Sequence, residues 1–251
     1  MLPVLQIGPA AVELPGLLLL AGVWIGSLLA ERKARRLGLP AERVERMILV
    51  ALVCGVIAAR LGYAASYPQV YLSRPLGLLA LTPFTLAPDV GAAAGLVAAW
   101  IYGQRNQLPL WPTLDALAPG MAAFAVCLAL AHLASGEAFG SPADVPWAIE
   151  LWGARRHPTQ AYELLAAAAI FLLLLRLQPG RPFQGFGYAV FLALTAGARL
   201  VIEAWRGDSV VWFGSLRAAQ LVSLAILLGA LEVLRRLARS SAPSPEGGGR
   251  G

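Results

Sequence analysis

Apolar residues in this chain come in seven long runs, at residues 14–30, 47–67, 84–103, 114–134, 159–175, 185–203 and 218–234, and the short stretches between them hold most of the charge. Crossing a hydrocarbon layer of ~30 Å takes roughly 20 residues of helix at about 1.5 Å each. Each run reaches or approaches that length. In lipid only a helix lets a single segment satisfy its own backbone amides. The pattern therefore predicts an all-α integral membrane protein with about seven transmembrane helices. On this reading residues 1–239 form one transmembrane domain, and the Ser-, Pro- and Gly-rich segment 240–251 is a disordered tail.

Composition agrees, because 58% hydrophobic and 14% charged residues among 251 cannot supply a water-facing surface. The first twelve residues lack the basic stretch of a cleaved signal peptide, so the first run is expected to stay as a span. Sorting Lys and Arg by alternating loops puts thirteen on one side, clustered at 32–46, 105, 176–181, 235–239 and 250. The other side holds five: Arg74, Arg155, Arg156, Arg206 and Arg217. By the positive-inside rule the N-terminus lies outside and the C-terminus in the cytoplasm. A net charge of +6 could suggest nucleic acid, but no basic helix with interleaved aromatics occurs, and no nucleic-acid partner is expected. Here basic charge sets orientation and attracts anionic lipid headgroups. Two cysteines, each inside an apolar run, and two histidines predict neither a disulfide framework nor a metal site, and no cofactor is expected.

Small residues four apart, Gly22 with Gly26 and Gly91 with Gly95, allow close helix packing where lipid removes the hydrophobic drive. Ionisable groups at bilayer depth cost about 2.5–3.5 kcal/mol each on insertion scales and so face an interior or a watery cavity. Arg60, His132, Arg199 and Glu203 are in this position. Arg199 and Glu203, four apart, share a helix face, and Arg206 follows three later. They make either a docking salt bridge or a seat for an anionic headgroup. The polar connection 135–158 leads into Arg156-His157-Pro158-Thr159-Gln160-Ala161-Tyr162-Glu163 at the entrance of the fifth run. Arginine offers a planar fork to phosphate oxygens, and Gln, Tyr and Glu can bond hydroxyls.

That eight-residue segment resembles the R-H-P-[ST]-Q-x-Y-E motif of the prolipoprotein diacylglyceryl transferase family. Arg199, Glu203 and Arg206 are similar to the family's R-x-x-x-E-x-x-R, Arg60-Leu61-Gly62-Tyr63 to its R-[IL]-G-Y, and Gly136-Glu137 to the end of its signature G-R-x-G-N-x-x-N-G-E. Residues 128–137 fill the signature's place with Ala129 where the family has arginine, and His132 and Ser135 where it has asparagines. Val90-Gly91-Ala92 stands for a His-Gly-Gly, and Pro15 for a first-span tyrosine.

The resemblance implies an enzyme of the bacterial cytoplasmic (inner) membrane that moves diacylglyceryl from phosphatidylglycerol to a lipobox cysteine of a prolipoprotein. Membrane lipid and the lipobox segment are then its partners. Such chemistry needs a charge-neutralising clamp on the leaving phosphate and a base for the thiol, since thiolate is the nucleophile. The implied catalytic set is Arg199 and Arg206 as the clamp, Glu203 holding Arg199, Glu137 orienting glycerol oxygens and His132 as base. Arg156, His157, Gln160, Tyr162, Glu163, Arg60, Tyr63 and Gly136 make the implied substrate-binding set, with Arg156 lending charge from the loop. Loss of arginine at Ala129 leaves open a non-catalytic relative that binds lipid or lipoprotein without turnover. A small-molecule transporter is the third reading, against which stands the lack of an internal repeat.

Overall fold

The computed structural model describes residues 4–7, 10–73, 77, 85–177, 182–212 and 216–241. Helices occupy all seven predicted runs: α1 (Leu14–Arg36), α2 (Ala41–Ser66), α4 (Pro88–Arg105), α5 (Leu110–Ser135), α6 (Thr159–Arg176), α7 (Phe186–Ile202) and α8 (Ala218–Ser240). A short α3 (Pro68–Ser73) follows α2, and one 3-10 turn (Glu203–Trp205) extends α7. Among the described residues five helical stretches are long and apolar enough to cross a membrane: α1, α2, α5, α6, and α7 with its 3-10 extension. The other two long helices are less uniformly apolar. Asp89 and Arg105 bound α4, and Glu232, Arg235, Arg236 and Arg239 load the end of α8. The predicted tail lies, past Ser241, outside the described residues, as does Phe84 at the start of the third predicted run.

The fold is mostly helical, as an all-α class implies, and among the described residues three short antiparallel hairpins flank the helices. They are β1 (Val4–Ile7) with β2 (Ala10–Glu13), β3 (Ile149–Leu151) with β4 (Ala154–Arg156), and β5 (Val211–Trp212) with β6 (Leu216–Arg217). Strands this short carry too few alternating positions to show in a hydropathy pattern. The β3–β4 turn is Trp152-Gly153, both at positive φ (54° and 73°), as a two-residue hairpin turn requires.

Two compact units are present. In the unit Ala34–Thr113, α2 and α4 meet along glycines: a methyl on Gly91 would lie 2.8 Å from the Ala59 Cβ. Arg60 is buried here. It donates to the carbonyls of Thr85 (2.8 Å) and Gly77 and lies 5.2 Å from the centre of the Tyr71 ring, so it ties these residues to α2. Tyr63 stacks at a tilt on Tyr67, 5.0 Å between ring centres.

The other unit, Met1–Lys33 with Leu114–Gly251, holds α1 and α5 to α8. Its buried apolar side chains are mostly alanines, while Leu20, Trp24, Leu165, Leu172 and Val222 point outward. Small residues inside and large apolar ones outside suit a bundle whose solvent is lipid. An apolar knot of Ala118, Ala122, Ile170, Leu174 and Phe191 joins α5, α6 and α7. Asp115 of α5 fixes where α7 begins. The N-cap residue, Gly185, has no side chain to offer, and the buried Asp115 carboxylate instead accepts from the Gly185 N–H (2.6 Å) and the Tyr188 N–H (3.0 Å).

Backbone contact between α1 and α5 at Gly26 and Gly120 leaves no room for a methyl, since a Cβ on either meets the other's carbonyl oxygen. Gly229 of α8 has open space around its Cα. Gly120→Ala is therefore expected to destabilise the protein in detergent by about 1–3 kcal/mol, the usual penalty of overpacking. Gly229→Ala should leave the melting temperature unchanged or raise it slightly. Equal thermal shifts for both variants would contradict this packing.

Candidate active site

The ends of α5, α6 and α7 are stitched together by the backbone after α5. Ser141 N–H donates to the Trp205 carbonyl (2.7 Å) and Gly207 N–H to the Phe139 carbonyl (2.8 Å). On its other edge the same segment receives His157 N–H at Ser141 (3.1 Å) and sends Ala143 N–H to Arg155 (3.0 Å). Residues 139–143 thus act as a central strand between 155–157 and 205–207. Gly140 is required there, because a Cβ would collide with the His157 backbone. Thr159 and Gln160, both buried at the start of α6, donate to the carbonyls of Ala138 (2.6 Å) and Glu137 (3.0 Å). Ala138 is held at φ 56°, a costly conformation for a non-glycine residue.

Beneath this loop lies a charge network centred on Glu163, one turn into α6. Its Oε2 is 3.0 Å from His132 Nδ1 on α5. Its Oε1 accepts from Arg199 of α7 (3.1 Å) and from Arg206 (2.6 Å). Glu203, fully buried, has Oε2 3.0 Å from Arg199 Nε and 3.8 Å from Arg206 Nε, while Oε1 accepts from Ser209. Arg206 also makes a two-pronged bond to Asp208, at 2.9 and 2.7 Å. Burial opposes the charge on Arg206, but the Asp208 bond and the fields of Glu163, Asp208 and Glu203 outweigh it and hold its pKa above the ordinary value. Arg217 donates to the Arg206 carbonyl and to Ser209 (3.1 Å), which closes the network toward α8.

A cavity of about 140 Å³ opens beside this network between α5, α6 and α7. His132, Glu163 and Arg199 form its polar end, and Ala129, Ala166, Ile170, Phe191 and Ala198 belong to its apolar walls. Ala129 sits one turn from His132 on the same helix and lines the same space. The arrangement offers one half-exposed guanidinium, one imidazole and an apolar slot.

The predicted residues fall into distinct places. Arg199, Glu203, Arg206, His132 and Glu163 converge as described. Tyr162 and His157 lie outside the cavity lining, beside Trp147 and Trp205: Trp147 Nε1 donates to the Tyr162 hydroxyl at 2.7 Å, and His157 Nδ1 is 3.4 Å from it. Arg156 is spent on the loop, donating to the carbonyls of Leu151 (3.1 Å) and Gly140 (3.2 Å) beside the Phe139 ring. Gly136, at φ 79°, turns the chain out of α5 and accepts from Trp152 Nε1, and Glu137 is exposed outside the cavity lining. Arg60 and Tyr63 belong to the other unit. Sequence reasoning missed Asp208, Ser209 and the bonding role of Arg217. The only signal was the polar cluster Arg206-Gly207-Asp208-Ser209 directly after an apolar run.

Arg206 satisfies three carboxylates from a nearly buried position, whereas Arg199 has a side chain 40% exposed. Arg206→Gln strands buried acids, which costs about 3–5 kcal/mol. Its melting temperature in detergent is expected to fall well below that of Arg199→Gln, after which Glu163 still pairs with Arg206. Indistinguishable unfolding of the two variants would contradict this division of labour.

A profile of the family described as prolipoprotein diacylglyceryl transferase matches residues 3–235 of the chain. The phosphatidylglycerol–prolipoprotein diacylglyceryl transferase of Synechococcus elongatus is 32% identical over 243 residues, covering 90% of this chain and 84% of that protein. The one from Thermus thermophilus is 30% identical over 275 residues, covering 94% of this chain and 98% of its own length. That of Gloeobacter violaceus is 32% identical over 262 residues, covering 96% and 95%. The matched residues, 3–235, take in both units, and the chain belongs to the prolipoprotein diacylglyceryl transferase family.

Proposed function

We propose that this protein is a transferase that moves diacylglyceryl from phosphatidylglycerol to the thiol of a prolipoprotein lipobox cysteine, in the bacterial cytoplasmic membrane. The observation that carries the proposal is the cavity itself, where Arg199 and His132 meet at the polar end of an apolar slot between helices. A lipid with one phosphate and acyl chains has this polarity. In the reaction the cysteine sulfur attacks the glyceryl carbon, a C–S bond forms, and the C–O bond breaks with its electron pair leaving on glycerol phosphate. The thiol proton goes to His132 and from there to the departing phosphate. Arg199 neutralises the growing charge, Glu203 holds Arg199, and Arg206 anchors the network from behind. Glu137, Tyr162 and His157 serve the loop side, where the lipobox segment and the glycerol hydroxyls enter, and buried Gln160 braces that loop through the Glu137 carbonyl.

The same reading takes α4 and α8 as spans, which makes seven, with the N-terminus and the 135–158 loop outside and the C-terminus in the cytoplasm. Residues 1–239 then act as one transmembrane domain. A glycerol-phosphate lipid of the outer leaflet meets the loop from that side.

A specific observation favours a second reading, a relative that binds lipid without turnover. Ala129 removes a cation, and Glu163 and Glu203 already engage the remaining arginines. The two readings differ in product. Purified protein with phosphatidylglycerol and a lipobox peptide is expected to form the diacylglyceryl thioether, detected by mass spectrometry. Ala129→Arg should raise the rate by about 10²–10³, the worth of one preorganised donor. Absence of thioether from both the wild type and a folded Ala129→Arg variant would leave the non-catalytic reading.

A further inference from the structure

Deepening the proposed transferase reading, on which it rests, we infer that Glu163 fixes the tautomer of His132, placing the proton on Nδ1 and leaving Nε2 as the proton acceptor in the cavity. Both groups on Glu163 Oε1 are guanidiniums, Arg199 at 3.1 Å and Arg206 at 2.6 Å, and they hold the carboxylate in its ionised form. An ionised carboxylate only accepts, so the 3.0 Å contact of Oε2 with His132 Nδ1 requires the proton on Nδ1. Nε2 is then the ring nitrogen that Glu163 does not engage, on a side chain that lines the cavity.

Glu163 therefore acts through His132 and is a positioning residue, while also bracing Arg199. One carboxylate sets the distance between base and anion clamp. The charged groups of the network that includes the imidazole are Glu163 on α6, Arg199 on α7, Glu203 at the head of the 3-10 turn, paired with Arg199, and Arg206 after it, with Ala129 its cavity neighbour on α5. No cation at position 129 competes for Glu163 or raises the positive potential beside the ring. The bond changes are those of the proposed transfer: S–H to Nε2–H, C–O to C–S, and the proton then released to the phosphate.

Glu163→Gln separates this role from simple helix docking. The amide oxygen still accepts from both arginines, which are donors only, so the amide NH₂ must face His132. Nδ1 then becomes the acceptor and the proton moves to Nε2. With only two histidines in the chain, ¹⁵N-histidine NMR in lipid nanodiscs reads the tautomer directly, and His157→Gln assigns the second signal. The wild type at pH 7.5 is expected to show a protonated Nδ1 and a bare Nε2, and Glu163→Gln the reverse. Transfer by Glu163→Gln should fall by about 10³–10⁴, as when a catalytic histidine is held in the wrong tautomer, with phosphatidylglycerol affinity within a few-fold of wild type. A wild-type ring protonated at Nε2, alone or together with Nδ1, overturns the inference. So does a folded Glu163→Gln variant with undiminished transfer. A bare Nε2 in a wild type that makes no thioether upholds the tautomer and instead sinks the transferase reading.

Discussion

Everything around the cavity depends on one shared carboxylate. Glu163 projects from the first turns of α6 and touches α5 through His132, α7 through Arg199, and the chain after α7 through Arg206. A charge at this depth is tolerated only when its partners are close and its lone pairs are used. Glu163 meets that condition by taking three donors on two oxygens. The geometry follows from the backbone, since residues 139–143 lace the ends of the three helices together and the Asp115 cap fixes where α7 starts.

Charge is shared unequally across the network. Glu163, Glu203 and Asp208 face two arginines, Arg199 and Arg206, with Arg217 bonded to the Arg206 carbonyl and Ser209. Arg206 is enclosed by acids and works as an internal strut. Arg199, more exposed and on the cavity, is the cation able to meet a phosphate. An arginine in place of Ala129 would add a second. With alanine there, the apolar wall comes up to His132.

Helices were legible in the sequence wherever apolar length alone decides them, and the Arg199–Glu203 pair follows from four-residue spacing on one face. The meeting of His132 with Glu163 was not. It joins residues 31 apart on different helices, and no periodicity reports a rotation that aligns two helix faces. Arg156 has a structural role that its place in the sequence did not report. A guanidinium in a polar loop reads as a ligand for phosphate, yet here it satisfies carbonyls that a compact loop would otherwise strand. The hairpins escaped because strands of two to four residues are set by turn geometry at Trp152-Gly153 and by neighbouring helix ends. Asp208 and Ser209 escaped because a polar cluster after a span looks like ordinary surface until Arg206 is seen folded back onto it.

The claim that matters most is that the cavity under residues 139–143 seats a phospholipid by its phosphate. It is tested most directly by a structure of the protein in nanodiscs containing phosphatidylglycerol. The account predicts a headgroup phosphate within ion-pair distance of Arg199 and close to His132, with an acyl chain along the wall formed by Ala129, Ala166 and Phe191. A lipid bound only elsewhere on the bundle, with the cavity closed or filled by a rotated Arg199 still held by Glu163 and Glu203, would contradict it.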